Sequence, residues 1–170
     1  MIELAHHILG ETSEPILLES SDDNRMAAIA LAQQAKRRID IFTHDLDKRV
    51  FDDKAFVEAV KQLVIGHSRA LVRVLVQDST HAAKQGHRLF HLGQEVTSKI
   101  KFHQPSREHI DHHGTFMLVD DAGFSQRRTH ERYTGNASFN DSQKVRELQS
   151  FFERAWNLSE PDAYLKRLSI

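Results

Sequence analysis

The run Leu71-Val72-Arg73-Val74-Leu75-Val76 constrains this chain more than any other stretch. Nearly unbroken apolar, β-branched character over six residues predicts a strand covered on both faces. A sheet sandwiched between helices provides such cover, and the flanking segments supply the layers. Phe56, Val60, Leu63 and Val64 recur at helical spacing in a helix expected from about Asp52 to Ile65, closed by Gly66. Ser20-Ser21-Asp22-Asp23 offers side-chain oxygens and negative charge to a helix start. The helix that follows carries Ala28, Leu31, Ala32 and Ala35 on one stripe and is expected to reach about Arg38. Two more helices are expected: Thr80 to about Ser98, with Ala82, Leu89, Gly93 and Val96 on one side, and Asp141 to Leu158, with Val145, Leu148, Phe152 and Ala155 inward. Phe152 and Trp156 are assigned to the core.

Further strands are expected at Ile16-Leu17-Leu18, at Ile39-Asp40-Ile41-Phe42, around Ile100 and Phe102, and at Phe116-Met117-Leu118-Val119. Phe124 to Arg128 and Glu131 to Thr134 are expected to form a hairpin around Thr129-His130. The order α-β-α-β-α-β-β-β-α predicts an α/β fold, an α-β-α sandwich with a mixed central sheet. No repeat or Pro/Gly/Ser-rich linker interrupts it, so residues 1–170 are expected to form one domain with its core at about 20–158.

Composition narrows the function. Hydrophobic residues make up 39% and charged residues 28% of the 170, a globular balance that excludes wholesale disorder. Cysteine is absent, which rules out disulfides, thiolate zinc sites and Cys nucleophiles. No stretch approaches the roughly 18–20 uninterrupted apolar residues of a membrane span. Met1-Ile2-Glu3-Leu4-Ala5 lacks the basic and apolar regions of a signal peptide, so the cytoplasm is the expected location. Lys and Arg number 23 against 24 Asp and Glu, so no global basic field advertises nucleic acid, which stays open as a partner. Histidine is abundant at 12, which makes the net charge soft near neutral pH; this is either plain composition or a switch.

In open α/β sheets chemistry gathers beyond the carboxyl ends of strands. Three such exits are polar here: Thr43-His44-Asp45, Gln77-Asp78-Ser79 and His103-Gln104-Pro105. Asp45 and Asp47 suit a divalent ion or acid–base work, and equally ordinary loop chemistry. Lys36-Arg37-Arg38 suits a cationic helix end better than a nucleic-acid patch. No metal site is assigned. His109, His112 and His113 have spacings that converge only on a helix, while their segment leads into a strand, and His87 with His91 is an ordinary i,i+4 pair. No cofactor is expected.

The densest polar cluster is Glu108-His109-Ile110-Asp111-His112-His113-Gly114-Thr115, just before an apolar strand ending at Asp120. His113, Thr115 and Asp120 stand at offsets 0, 2 and 7, and Gly135-Asn136-Ala137-Ser138-Phe139-Asn140 leads into the last helix. This arrangement resembles the phospholipase D superfamily, whose signature is His-x-Lys-x4-Asp followed by a Gly-Ser-x-Asn-like segment opening a helix. It is also similar to an uncharacterised bacterial family of stand-alone domains with that fold. The likeness covers roughly residues 20–158, and only 113–140 has motif character.

The resemblance implies a histidine nucleophile that forms a phosphohistidine, a second histidine protonating the leaving oxygen, a lysine neutralising phosphate oxygens, and a Ser/Asn pair donating to them. Position by position, His113 matches the nucleophile and Asp120 the motif aspartate. Thr115 stands where lysine is expected. Asn136 replaces the usual serine, with Ser138 or Asn140 as the remaining donor. An offset of two puts positions 113 and 115 on one face of an extended segment, whereas 120 falls on the other and suits local orientation. One motif per chain implies a symmetric homodimer for any catalytic site. Arg127, Arg128 and Arg132 are the candidate substitute cations, and Tyr133 among them suits stacking. The reading that follows is a domain with a degenerate, non-catalytic site recognising phosphate or a phosphodiester. The alternatives are an active phosphodiesterase or nuclease working as a homodimer, and a protein-interaction module without a ligand site.

Overall fold

The computed structural model describes residues 2–164. Eight strands form one mixed sheet: β1 (Ile16–Leu18), β2 (Arg38–Thr43), β3 (Leu71–Val76), β4 (Ile100–Gln104), β5 (Thr115–Val119), β6 (Gly123–Arg127), β7 (Gly135–Ser138) and β8 (Glu160–Pro161). Their spatial order is β1-β7-β6-β5-β2-β3-β4-β8. β2, β3 and β4 run parallel to one another and every other pairing is antiparallel. The helices are α1 (Ser21–Gln34), α2 (Lys48–Phe51), α3 (Lys54–Gly66), α4 (Thr80–Gln85), α5 (Arg88–Glu95) and α6 (Ser142–Asn157). Among them no helix is long and apolar enough to cross a membrane.

Alternation along the strands divides the core into two layers. Ile39 and Ile41 of β2, Val72, Val74 and Val76 of β3, and Met117 and Val119 of β5 pack against α1, α3 and α5. Phe42, Leu75, Phe116, Leu118 and Phe124 meet Val145, Leu148, Phe152 and Ala155 of α6 on the other face. This is an α-β-α sandwich. β3 is buried on both sides, as its apolar run requires.

Gly66, expected to close α3 from outside, is its last residue, with His67 at the cap, and three further boundaries differ from the sequence expectation, each for a local reason. Helix α1 ends at Gln34 rather than near Arg38, because Ala35 turns extended and the next three amides are captured elsewhere. The Asp120 carboxylate accepts from the N–H groups of Lys36, Arg37 and Arg38 at 2.7, 2.8 and 2.9 Å. Lys36, Arg37 and Arg38 therefore lie beyond the helix, and Arg38 opens β2. The helix expected over 80–98 is split: Gly86 has φ 82°, a left-handed conformation that glycine takes without penalty, and the His87 side chain caps the new start at α5. Residues 131–134 are irregular, and the partner of β6 is β7 at 135–138. Trp156 is only partly buried, whereas Phe152 is in the core.

His87 sits deep in the fold, 2% exposed. Its Nδ1 accepts from Leu89 N at 3.1 Å, so the proton is on Nε2, which donates to the Leu46 carbonyl at 2.9 Å. Burial, the largest cause, holds its pKa below the ordinary histidine value. His103, His112 and His130 are lowered as well, again first by burial. A histidine that titrates lower folded than unfolded takes up its proton on unfolding, so its destabilising effect grows as pH falls below about 6.5. The urea midpoint is expected to be flat above about pH 7.5 and to fall between about pH 6.5 and 5. A midpoint that rose on acidification over that window would contradict the neutral, buried state of His87.

Candidate functional site

Two of the three polar strand exits, those after β2 and β3, meet at one end of the sheet, whereas His103 of the third bonds Ser159 Oγ at 2.8 Å and stacks on Trp156. Gln77, just past β3, donates its amide to the carbonyls of His112 (2.7 Å) and His109 (3.2 Å) and so pins the 105–114 loop. Its oxygen then faces His44 Nδ1 at 3.3 Å, past the end of β2. The His44 ring stacks on His130, centroids 3.9 Å apart and planes within 9°. His130 N donates to the His113 carbonyl at 2.9 Å, which binds the 128–134 loop to the start of β5. Below, His112 packs on Phe42 and Phe151, and His109 on Phe151.

His113 is exposed at the lip of this end, one residue before Gly114 and two before Thr115. Thr115 is buried, and its hydroxyl donates to the Phe42 carbonyl at 2.8 Å. Directly opposite Thr115 in the β5–β6 ladder stands Arg127. Both face α1, by alternation with Met117 and Val119. Arg127 is buried, and each of its terminal nitrogens is engaged. Nη1 pairs with Asp47 Oδ2 at 3.2 Å, and Nη2 donates to the His130 carbonyl at 2.8 Å. The guanidinium lies 4.7 Å from the Tyr133 ring centroid, within cation–π range. Tyr133 also hydrogen-bonds Asp47; burial first, then that carboxylate, raise its pKa.

The remaining candidates divide. Asn136 and Ser138 fall on the α6 face, since Ala137 between them packs on the α1 side and Ser138 pairs with Phe124. Neither side chain shares a face with Thr115 and Arg127. Ser138 Oγ accepts from Asn140 N at 3.2 Å, and the Asn140 amide donates to Ser13 Oγ at 3.0 Å. Arg128 and Arg132 are exposed, with no ion pair to any described residue. Together with Thr129, Thr134, Gly135 and Asn136 they line an open cavity of about 450 Å³. Asp120 lies at the far end of β5, with φ 54° and its carboxylate spent on the three amides before β2. No group of three or more described His, Asp or Glu side chains is placed to hold a metal ion.

Two contributors have roles that the sequence does not assign. Gln77 is one of the polar exit residues, and only the structure assigns it the joining of the three loops. Asn24 donates to the Tyr133 and Ser20 carbonyls at 2.7 and 2.8 Å. Its signal was present: Asn24 continues the Ala28–Leu31–Ala35 stripe one turn earlier, a polar residue on an apolar face.

The chain is a mixed sheet between two helical layers, with His113 just before the central strand β5. Solved structures agree on the fold. Nuc, a phospholipase D family member from Salmonella typhimurium, superposes with a TM-score of 0.59 at 17% identity, over 88% of this chain and 99% of its own. NucT from Helicobacter pylori gives 0.58 at 12%, over 88% and 98%. TrmBL2, an archaeal chromatin protein, gives 0.61 at 11%, over 87% and 54%. No curated protein matches the sequence. Residues 20–168 match the family described as Domain of unknown function (DUF7931), and the chain belongs to that family.

Proposed function

We propose that this chain is a phospholipase D-fold domain whose site holds a phosphate-bearing ligand without cleaving it. One observation carries the reading: the face that the motif lysine would occupy has Thr115, and the cation opposite, Arg127, is already paired with Asp47. A free charge about 4 Å from a phosphate oxygen is worth about 4 kcal/mol at an effective dielectric near 20. Loss of one such donor typically slows a reaction about 10²–10³-fold. Catalysis on the family pattern needs two chains presenting His113 to one phosphate, and each would bring a threonine where lysine is required.

Ligand retention rests on the loop beside His113. Arg128 and Arg132, with Thr129, Thr134 and Asn136 around the same cavity, offer cations and neutral donors to a phosphate. The likeness to TrmBL2, whose structure is described as a novel mode of DNA binding, supports a nucleic-acid backbone as one source of that phosphate. The test pairs calorimetric titration of pyrophosphate with a hydrolysis assay on bis(4-nitrophenyl) phosphate. Expected are binding weakened about tenfold or more by Arg128→Ala/Arg132→Ala, and no turnover above buffer. Turnover that disappears in His113→Ala overturns the non-catalytic reading in favour of a phosphodiesterase. Neither binding nor turnover leaves a protein-interaction module.

A further inference from the structure

The chain leaving β2 passes through an unusual conformation before it reaches Arg127. Leu46 is fully buried yet has φ 58°, a region that a branched side chain rarely adopts. Both of its backbone groups are held: N donates to Thr43 Oγ1 at 3.2 Å, and the carbonyl accepts from His87 Nε2. The consequence of this turn is the placement of Asp47. One carboxylate oxygen accepts from Arg49 N at 3.0 Å, the cap of α2, and the other meets Arg127. The Asp47 side chain remains 16% exposed, so the space it fills opens to solvent, while Arg127 behind it is 6% exposed. Arg127 Nε has no hydrogen-bond partner at all. Beside it is a small recess of about 20 Å³, lined by Asn24, Thr115 and Ser125 among others.

An arginine with two engaged nitrogens and one orphaned nitrogen, facing a carboxylate at the solvent boundary, has the donor set of an anion site whose anion is internal. We propose that Asp47 is an intramolecular stand-in for a tetrahedral phosphate: it latches Arg127 shut, and a phosphate group enters only where the carboxylate gives way. The proposal rests on the phosphate-recognition reading above and adds its regulation. The latched subsite is formed by Arg127 Nη1, the Tyr133 hydroxyl and Thr115 Oγ1, which can still accept from a protonated phosphate oxygen. It lies on the α1 side of the sheet and is separate from the Arg128/Arg132 cavity in its donors.

Asp47→Ser tests the latch, because serine keeps cap chemistry for α2 while removing the charge and vacating the space. Its affinity for inorganic phosphate is expected to exceed that of the wild-type chain by about tenfold, as for one charge-assisted contact. Arg127→Gln in the Asp47→Ser background should abolish the gain. Asp47→Asn, which removes charge but keeps volume, should show a smaller gain and serves as the deciding variant if Asp47→Ser does not fold. Thermal unfolding provides a second readout: phosphate should raise the midpoint of the Asp47 variants more than that of the wild type, which a merely structural Asp47 would not produce. Phenyl phosphate run in parallel distinguishes a terminal phosphoryl group, bound as well as phosphate, from free phosphate, bound alone. Folded variants with wild-type phosphate affinity overturn the latch. If the wild type binds pyrophosphate through Arg128 and Arg132 while the Asp47 variants gain nothing, the latch fails and the phosphate reading stands. If the wild type binds nothing while Asp47→Ser binds phosphate through Arg127, the latch stands and the open-cavity reading fails.

Discussion

Asp40→Ala is expected to destabilise the fold by about 3–5 kcal/mol, because it strips the partner from a buried cation. Asp40 is fully buried in the middle of β2. It accepts from Arg73 Nε and Nη2 at 2.8 and 3.0 Å and from Gln149 Nε2 at 2.9 Å, with Arg38 Nε at 3.2 Å. Arg73 on β3 is its neighbour in the ladder and also reaches Glu153 on α6. Its guanidinium lies 5.0 Å from the Phe152 ring and 5.4 Å from Trp156. Burial works against the charge on Arg73, but its bonds to Glu153 and Asp40 prevail and keep it more firmly protonated than usual. Alanine at 40 would leave that charge facing α6 with Glu153 alone, the carboxylate that would also be the one acceptor left to Gln149 Nε2. Urea denaturation reads the loss directly. The double replacement Asp40→Leu/Arg73→Met should recover most of it, since apolar pairs of similar volume commonly equal or exceed buried ion pairs. A single-variant loss below about 1 kcal/mol would mean that water solvates Arg73 in place of Asp40.

That network also marks where the sequence stopped being legible. The layers and the sheet were readable because apolar residues recur at periods of two and 3.6 in runs long enough to be unambiguous, as in Leu71–Val76 and in the α3 stripe. Asp40 between two isoleucines looks like ordinary alternation, and nothing local says that its polar face is covered by α6. The split at Gly86–His87 turns on a histidine side chain serving as a cap. The early end of α1 turns on a carboxylate 83 residues away. The site divides in the same manner. The offset of His113, Thr115 and Asp120 is a local pattern and could be read. The pairing of Arg127 with Asp47 spans 80 residues and becomes visible only once β2 and β6 finish at the same end of the sheet. For Asn136 and Ser138 the spacing to Gly135 was available, but their face depends on the register of β7 against β6, which spacing alone does not set.

Gly135→Ala is expected to be nearly as damaging, at about 3 kcal/mol or more, and it acts at the site itself. A Cβ at 135 would stand 2.1 Å from the Gln126 carbonyl oxygen and 3.1 Å from Arg127 Cγ. The first of these is backbone and cannot step aside, so β6 and β7 must part. β1 would loosen with them, because Leu18 pairs with Gly135 on the far side of β7. Gly66 provides the contrast: a Cβ there meets nothing within 4 Å, so Gly66→Ala should be neutral or stabilising by up to about 1 kcal/mol. Hydrogen exchange on Gly135→Ala should show protection lost first in β1 and β7 and retained in β2 and β3. Wild-type protection throughout would mean that the β6–β7 ladder accommodates the methyl. On the expected outcome, the glycine opening the Gly-Asn-x-Ser segment is there for the Gln126 carbonyl. The same Cβ would stand 3.1 Å from Cγ of the arginine that pairs with Asp47, so the strain on the ladder and on the arginine position is one event.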